Sequence, residues 1–342
     1  MPEAPVELCF ARRGGDCLER IFLHNQQLHE FLETLRLFGE LHAPTLNDSG
    51  VMAFSPLRQN SDLRLDYSRT QIPPKKFLIP FREEILHYKE GRYRLGHPRP
   101  SEIVLFGVHP CDLDGIAYLD LVFLGEAPDP AYADRRARLT LVGISCEPDD
   151  FCFCSGGRSA DRCDLFLVAC GDGFLLSAHS GKGEAIAAAA AELLVEPPCA
   201  IAPPAASGCR VTAQDPQLRF SDNPLWDKFA GTCVSCGACS VCCPTCYCFD
   251  VREYPDLSGG GKRVREWDNC LFVTHGEVAG GNFRQTRLER LRYRLLHKYC
   301  GFTPLQGMTS CVGCGRCKSV CPVDIDLREL FEGDGMPAGG AQ

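Results

Sequence analysis

The chain has 342 residues, of which 45% are hydrophobic and 23% are charged, values that are ordinary for a water-soluble protein. Its formal net charge of −8 argues against bulk nucleic-acid binding, and no stretch approaches 18 uninterrupted apolar residues, so we expect no membrane span. The 23 cysteines are unusual. Because no basic start followed by an apolar run indicates export, they predict cytoplasmic metal chemistry rather than a disulfide scaffold.

The first predicted element is a core-facing helix over residues 18–38, where apolar side chains recur near helical spacing. Residues 73–80 are typical of an extended segment, and a second helix is predicted to begin near Arg82. Lys75 and Lys76 lie in the extended segment and could face a partner. A solvated face is the preferred interpretation of this pair.

An α/β pattern follows. Residues 103–108 and 139–144 read as buried strands with a helix over 112–124 between them, which predicts a right-handed parallel crossover. Further strands are predicted at 164–170 and 173–179, and an alanine-rich helix at 184–195. The expected fold class of this part is an α/β domain with a mostly parallel sheet, whose ligand sites gather beyond the carboxyl ends of the strands.

A dense set of cysteines follows these strand ends. Its members are Cys111, Cys146, Cys152, Cys154 and Cys163. Buried unpaired cysteine is common as a small apolar residue, yet this density exceeds what packing requires. A helix beginning at Asp112 would also point its positive end at an anionic cluster. The pattern predicts a metal site here, and spacing alone does not choose four ligands among the five.

Proline-rich and alanine-rich sequence between residues 197 and 225 predicts a linker. We therefore expect an α/β domain over residues 1–225, a second domain over residues 226–331 and, from its Gly/Pro/Ala composition, a disordered tail over residues 332–342. The scattered thiols Cys9, Cys17, Cys170, Cys199 and Cys209 are interpreted as core or incidental residues.

The second domain contains the run C-x2-C-x2-C-x3-C-P twice, which is a strong signal for iron–sulfur clusters. In such a run the first three thiolates hold one cluster, and the cysteine before proline ligates the other. This predicts one cluster on Cys233, Cys236, Cys239 and Cys321, and another on Cys311, Cys314, Cys317 and Cys243. Structural zinc would use two separated C-x2-C pairs, and disulfides would require an oxidising compartment.

The segment between the two runs, residues 244–310, is longer than in compact bacterial ferredoxins. The architecture resembles the α-helical dicluster ferredoxins, such as the iron–sulfur subunit of succinate dehydrogenase. The segment includes a predicted helix that is rich in basic side chains, namely Arg284, Arg287, Arg290, Arg292, Arg294 and Lys298. This helix either offsets the negative charge of the clusters and raises their potentials, or forms a solvated face.

Several motifs are specific to one family when taken together. They are Pro74-Lys75-Lys76-Phe77, Pro110-Cys111-Asp112-Leu113, Cys146-Glu147-Pro148 with Cys152-Phe153-Cys154, Cys243-Pro244-Thr245-Cys246-Tyr247-Cys248-Phe249, Asn282-Phe283-Arg284 and the second cysteine run. On these residues, nearly the whole chain resembles the β subunit of cytoplasmic nickel–iron hydrogenases, also called sulfhydrogenases. It is also similar to the electron-transfer subunit of anaerobic sulfite reductases.

The resemblance implies a third 4Fe–4S cluster, on Cys111, Cys146, Cys152 and Cys154, and leaves Cys163 as a bystander. Cys246 and Cys248 belong to the family pattern, but both dicluster sites are fully ligated without them. These two thiols could hydrogen-bond to cluster sulfurs or pack against them. Cys242 receives no role.

The resemblance further implies an electron-transfer subunit with no catalytic site of its own. It would connect a flavin-containing NAD(P)H-oxidising subunit to the small and large subunits of a NiFe hydrogenase, or to the catalytic subunit of an anaerobic sulfite reductase. The chain has no G-x-G-x-x-G or P-loop motif, so we expect no nucleotide site.

Three other functions compete with this one. A heterodisulfide-reductase-type enzyme is suggested by Cys242-Cys243, but the expected C-x2-C downstream is missing. A radical-SAM enzyme is suggested by the spacing of Cys239, Cys243 and Cys246, which lacks a surrounding barrel pattern. A free ferredoxin-like carrier would not require an N-terminal domain of this size.

Overall fold

The computed structural model describes residues 21–96, 100–154, 160–197, 224–301 and 310–330. Its strands are β1 (Ile21–His24), β2 (Glu40–Leu46), β3 (Met52–Pro56), β4 (Arg82–Lys89), β5 (Arg92–Leu95), β6 (Ile103–Val108), β7 (Leu139–Ile144), β8 (Leu165–Cys170), β9 (Gly173–Ala178), β10 (Leu194–Val195), β11 (Phe249–Pro255), β12 (Gly261–Trp267), β13 (Glu277–Val278) and β14 (Gly281–Asn282). Its α-helices are α1 (Leu28–Arg36), α2 (Pro110–Phe123), α3 (Pro130–Ala137), α4 (Gly181–Ala189), α5 (Leu225–Thr232), α6 (Ala238–Val241), α7 (Arg287–Leu296) and α8 (Arg316–Ser319).

The larger sheet has the strand order β10-β1-β9-β8-β7-β6-β2-β3. Its central strands β8, β7, β6 and β2 are parallel, whereas the pairs towards both edges are antiparallel. The expected mostly parallel sheet is therefore a mixed one. The physical reason lies in the connections: β8 and β9 are joined by a tight turn, which permits only an antiparallel pair.

Two apolar layers cover the central strands. Val104 and Phe106 of β6 pack into one layer, and Leu105 and Val108 pack into the other. Both faces are thus buried, which explains why β6 and β7 read as continuous apolar runs rather than as alternating ones. Helix α2 follows β6 directly and covers the second layer, so that its first turn lies at the carboxyl end of the sheet.

Several predicted elements of this region are confirmed, including the strands at 103–108 and 139–144 and the helix that follows the first of them. The predicted helix over 18–38 is only partly correct, because β1 occupies Ile21–His24 and α1 begins at Leu28. Residues 18–20 lie outside the described residues. So do most of the predicted linker, the predicted tail, and Cys9, Cys17, Cys199 and Cys209.

A smaller antiparallel sheet has the order β11-β12-β4-β5. The helix predicted near Arg82 is wrong, because that residue begins β4, which pairs along its length with β12. Strands from both sides of the predicted boundary at residue 225 therefore form one sheet. The segment between the cysteine runs contains the hairpin β11–β12 besides its helices, so the α-helical character expected of this domain is not confirmed.

Buried ion pairs connect this smaller sheet to helix α3 and to the residue before it. Glu83 of β4 accepts hydrogen bonds from Arg135 and Arg265, each at 2.5 Å, and Arg265 also donates to Asp129 at 2.5 Å. Every one of these charges has a partner, as burial requires. Hairpin β11–β12 is thereby held at a fixed place beside the larger sheet.

A third apolar cluster lies between α5 and α7, where Trp226 and Phe229 pack against Leu291, Leu295 and Tyr299. This cluster places α7 against the first cysteine run. No helix of the described residues is long and apolar enough to cross a membrane.

Candidate metal centres

The two cysteine runs have the same backbone conformation. In the first run Ser235 and Gly237 have φ of 54° and 78°, and in the second run Gly313 and Gly315 have φ of 68° and 71°. These left-handed positions stand at matching offsets, before and after the second cysteine. They curl each run so that backbone N–H groups turn towards the thiols: the Ser235 N–H donates to Cys233 Sγ at 3.4 Å.

The first thiol group consists of Cys233, Cys236, Cys239 and Cys321. All four side chains line one cavity with apolar walls, and so does Cys317, although Cys317 and Cys321 come from the other run. The Ile325 N–H donates to Cys321 Sγ at 3.4 Å, as the Ser235 N–H does to Cys233. Cys236 is exposed, so this group lies next to the protein surface. The structure thus brings together the four residues predicted for one cluster.

The second thiol group consists of Cys311, Cys314 and Cys317. The Tyr299 hydroxyl donates to Cys311, and Cys314 is near enough to both other thiols to raise the pKa of Cys311 and of Cys317. Cys242 stands beside Cys314 and Cys317. Burial raises the pKa of the Cys242 thiol to about 12. The predicted fourth ligand of this group was its neighbour Cys243.

The third thiol group consists of Cys111, Cys146, Cys152 and Cys154. Cys111 lies in the first turn of α2 and Cys146 follows β7, so both stand at the carboxyl edge of the sheet. Cys111 interacts with Cys146, Cys146 with Cys152, and Cys152 with Cys154. A hydrogen bond from Cys154 lowers the pKa of Cys152 to about 6, whereas burial raises that of Cys146 to about 12.

Cys163, which spacing alone left as a fifth candidate, donates instead to the Leu165 carbonyl at 3.2 Å. It packs in the apolar layer under α2. The cysteines named as matching the family are those that the structure gathers at the sheet edge.

The third thiol group packs directly against the second cysteine run. The Phe153 N–H donates to the Gly313 carbonyl at 2.8 Å. A Cβ on Gly313 would stand 2.5 Å from the Phe153 carbonyl oxygen, and one on Gly315 would stand 2.2 Å from that of Phe151. Only glycine fits at these two positions of the run. The two glycines therefore permit the close approach of the two thiol groups.

A buried ion pair fixes the same contact. Arg316 of the second run forms two hydrogen bonds of 2.7 Å with the carboxylate of Asp112, which follows Cys111. The Arg316 Nε donates to the Thr70 carbonyl at 2.8 Å. Arg316 and Asp112 are each 1% exposed. Such a bidentate pair sets both distance and orientation between the two elements.

A fourth thiol group, which the sequence reasoning missed, consists of Cys243, Cys246, Cys248 and Cys270. Cys243 interacts with Cys246, Cys248 interacts with Cys270, and Cys246 is close to both Cys248 and Cys270. Hydrogen bonding from Cys248 lowers the pKa of Cys270 to about 6.

Sheet register creates this fourth thiol group. Phe249 pairs with Trp267, and the Asp268 N–H donates to the Cys248 carbonyl at 2.9 Å. The open end of hairpin β11–β12 therefore brings Cys248 beside Cys270. A sequence signal did exist: the C-x-C spacing of Cys246 and Cys248 repeats that of Cys152 and Cys154.

Three buried cations surround the fourth thiol group. Lys75, Arg294 and Lys298 are 3%, 3% and 6% exposed. Lys75 Nζ donates to the Cys246 carbonyl at 2.8 Å and lies 4.2 Å from the Trp267 ring centroid. Arg294 donates to Cys246 Sγ at 3.2 Å. The interpretation of Lys75 as part of a solvated face is therefore wrong.

The basic helix carries both buried and exposed basic side chains. Arg290, Arg294 and Lys298 follow one another every fourth residue and are buried, whereas Arg287, at the first position of α7, is exposed. Arg290 donates to backbone carbonyls, and Lys298 Nζ donates to Thr245 Oγ1 at 2.7 Å. Arg294 and Lys298 are nearest the thiols and can offset the negative charge of thiolates. This was one of the two predicted roles of the helix.

These groups fit iron–sulfur clusters in donor chemistry, because each gathers cysteine thiols and leaves backbone or cationic donors facing them. Among the described residues, no three His, Cys, Asp or Glu side chains are placed to hold a single metal ion. A cubane spreads its four thiolates over four irons and does not require that closeness.

Comparison with known proteins agrees with this chemistry. Residues 232–325 match the family model of a 4Fe–4S dicluster domain. The chain is 36% identical over 334 residues to sulfhydrogenase 2 subunit beta of Pyrococcus furiosus, and the match covers 91% of this chain and 98% of that relative. No solved structure matches the chain.

Proposed function

This chain belongs to the family of sulfhydrogenase β subunits, and from that premise we propose that it carries electrons between a flavin NAD(P)H-oxidoreductase subunit and a NiFe hydrogenase catalytic module. The chain is an iron–sulfur protein with a 4Fe–4S dicluster domain. When bound, such clusters supply one-electron transfer at potentials that the protein tunes through charge, hydrogen bonds and exposure.

We assign one cluster to each of the first three thiol groups. The first thiol group provides all four ligands from the two runs. The second provides three, and its fourth comes from the pair Cys242-Cys243, of which the motif favours Cys243. The third provides Cys111, Cys146, Cys152 and Cys154. Support for the first assignment is the cavity that its four cysteines share. Support for the third is that its cysteines lie together at the carboxyl edge of the sheet, beside the buried carboxylate of Asp112 that pairs with Arg316.

The observation that carries the proposal is the contact between the third thiol group and the second cysteine run. The Phe153–Gly313 hydrogen bond and the Arg316–Asp112 ion pair hold them together. The second run also provides Cys321 to the first thiol group, which reaches the surface at Cys236. The residues thus support one continuous path, whose opposite ends would serve different partners.

The test is electron flow through the purified complex. Cys111→Ser removes a ligand of the third thiol group, so transfer between NAD(P)H and the catalytic subunit should stop. Each partner's own half-reaction with an artificial dye should survive. The matched control is Cys170→Ser, which changes a half-buried thiol of β8 and should leave turnover unchanged. Full end-to-end turnover in Cys111→Ser with its cluster absent would make that cluster a side branch.

A further inference from the structure

We propose that Cys243, Cys246, Cys248 and Cys270 hold a fourth 4Fe–4S cluster, and that Cys242 rather than Cys243 completes the second thiol group. This goes beyond the three clusters of the proposed function and does not depend on which partners the chain serves. Three thiols outside the predicted ligand sets, together with Cys243, three buried cations and the register of one hairpin, support it.

The thiols of the fourth group come from two separate segments, as those of the other groups do. Cys246 and Cys248 lie between the first cysteine run and β11, and Cys270 follows the end of β12. Hairpin register sets Cys248 beside Cys270, and Cys243 interacts with Cys246. The fourth group also contains the same C-x-C pair as the third thiol group.

The charge around these thiols is unbalanced. Lys75, Arg294 and Lys298 are all buried, and no carboxylate among the described residues forms an ion pair with any of them. Their contacts are carbonyl oxygens, hydroxyls, an aromatic ring and sulfur. Buried cations require an anionic counterpart. A cluster held by four thiolates carries the net negative charge that this place lacks.

Plainer interpretations do not account for these cations. Four inert thiols would behave as small apolar side chains and would not justify three buried cations around them. Two disulfides would be uncharged and would leave the same cations without a counterpart. By contrast Arg316, at the third thiol group, already has Asp112 as its partner. Lys75, Arg294 and Lys298 thus leave an excess of positive charge at the fourth thiol group, although Arg294 also lines the cavity of the first thiol group.

The adjacent cysteines Cys242 and Cys243 face different thiol groups. Cys242 is near Cys314 and Cys317, and also near Cys239 of the first thiol group, whereas Cys243 interacts with Cys246 and lies 3.3 Å from Thr245 Oγ1. Consecutive side chains at the end of α6 point in different directions. Cys242 can therefore ligate the cluster of the second thiol group while Cys243 ligates that of the fourth. The extra cysteine beside the C-P motif thereby acquires a role.

The experiment is anaerobic analysis of iron, acid-labile sulfide and zinc in the full-length chain. Wild type should contain about sixteen irons, four for each of four clusters. Cys270→Ala and Cys248→Ala should each retain about twelve. The control variant Cys170→Ala should retain the wild-type content. The wild-type count does not depend on whether a variant folds.

Ligand exchange is tested by EPR of the reduced protein. The signal lost in Cys243→Ala should match the one lost in Cys270→Ala, and the signal lost in Cys242→Ala should match the one lost in Cys311→Ala. The opposite pattern, with Cys243→Ala matching Cys311→Ala, would overturn the assignment of Cys243.

Other outcomes separate this proposal from the function proposed above. About twelve irons in wild type, with all of them kept in Cys270→Ala, would refute the fourth cluster and leave three. About twelve irons with one zinc that Cys270→Ala loses would make the site mononuclear and also refute it. About eight irons would remove the third thiol group's cluster as well, and with it the proposed path.

Discussion

The Arg316–Asp112 ion pair offers a quantitative test of how the second cysteine run is held on the sheet edge. Both side chains are buried, and the guanidinium forms two hydrogen bonds of 2.7 Å with the carboxylate. Asp112→Leu leaves the cation of Arg316 without a partner, which typically costs about 3–5 kcal/mol. The double variant Asp112→Leu/Arg316→Met removes both charges, so most of that loss should return.

Amide hydrogen exchange in the metal-loaded chain measures this loss of stability at α8 itself. The Val320 N–H donates to the Arg316 carbonyl at 3.0 Å, and the Ser319 N–H donates to that of Gly315 at 3.1 Å. If α8 opens locally, a loss of about 3 kcal/mol should accelerate exchange of these amides roughly 150-fold. Glu102→Gln is the control, since its pair with Arg138 is half exposed and should contribute about 0–1 kcal/mol.

Two results would contradict this reasoning. An acceleration below about tenfold in Asp112→Leu, with iron content unchanged, would mean that the pair does not hold the run in place. A double variant as unstable as the single one would show that shape, rather than the unpaired charge, explains the loss.

Two further predictions follow from individual residues. Cys321→Ser should remove the EPR signal of the cluster held by Cys233, Cys236 and Cys239, because Cys321 lines their cavity; loss of the signal of its own run instead would refute the crossed ligation. Burial lowers the pKa of His109 to about 4, and its ring stacks on Tyr67. Since the unfolded chain takes up this proton at a pH near 6.5, stability should fall as the pH drops from about 6.5 to 4, and His109→Gln should flatten that fall by about 3 kcal/mol. Thermal inactivation measured across this range checks it, and an unchanged slope in the variant would show that another group titrates.

Much of the larger sheet could be predicted because its signals are local. Continuous apolar runs indicated the strands at 103–108 and 139–144, and Pro110 marks the start of α2. The mixed direction of the sheet and the strand at Arg82 were not predictable in this way. Glu83 is buried through ion pairs with residues far along the chain, so its burial leaves no periodic trace near it.

The crossed arrangement of Cys321 with the first run was predictable, because the two runs repeat one spacing and therefore one backbone conformation. Lys75 shows the opposite case. A lysine pair beside prolines is typical of a solvated face, yet its Nζ reaches Ser240 and Cys246 in the other half of the chain. Nothing near Lys75 in the sequence indicates an anionic site, since the site is assembled from distant segments.

The same reason explains why the fourth thiol group escaped the sequence reasoning. Iron–sulfur ligands are usually recognised by short spacings, and Cys270 stands in no such spacing with Cys246 or Cys248. The register of β11 on β12 brings it there, and register is set by pairing along the whole hairpin rather than by residues at the site. The buried cations are then the more general signal. A lysine or arginine that is buried without a carboxylate, beside several thiols, indicates that an anion belongs there even where no cysteine motif does.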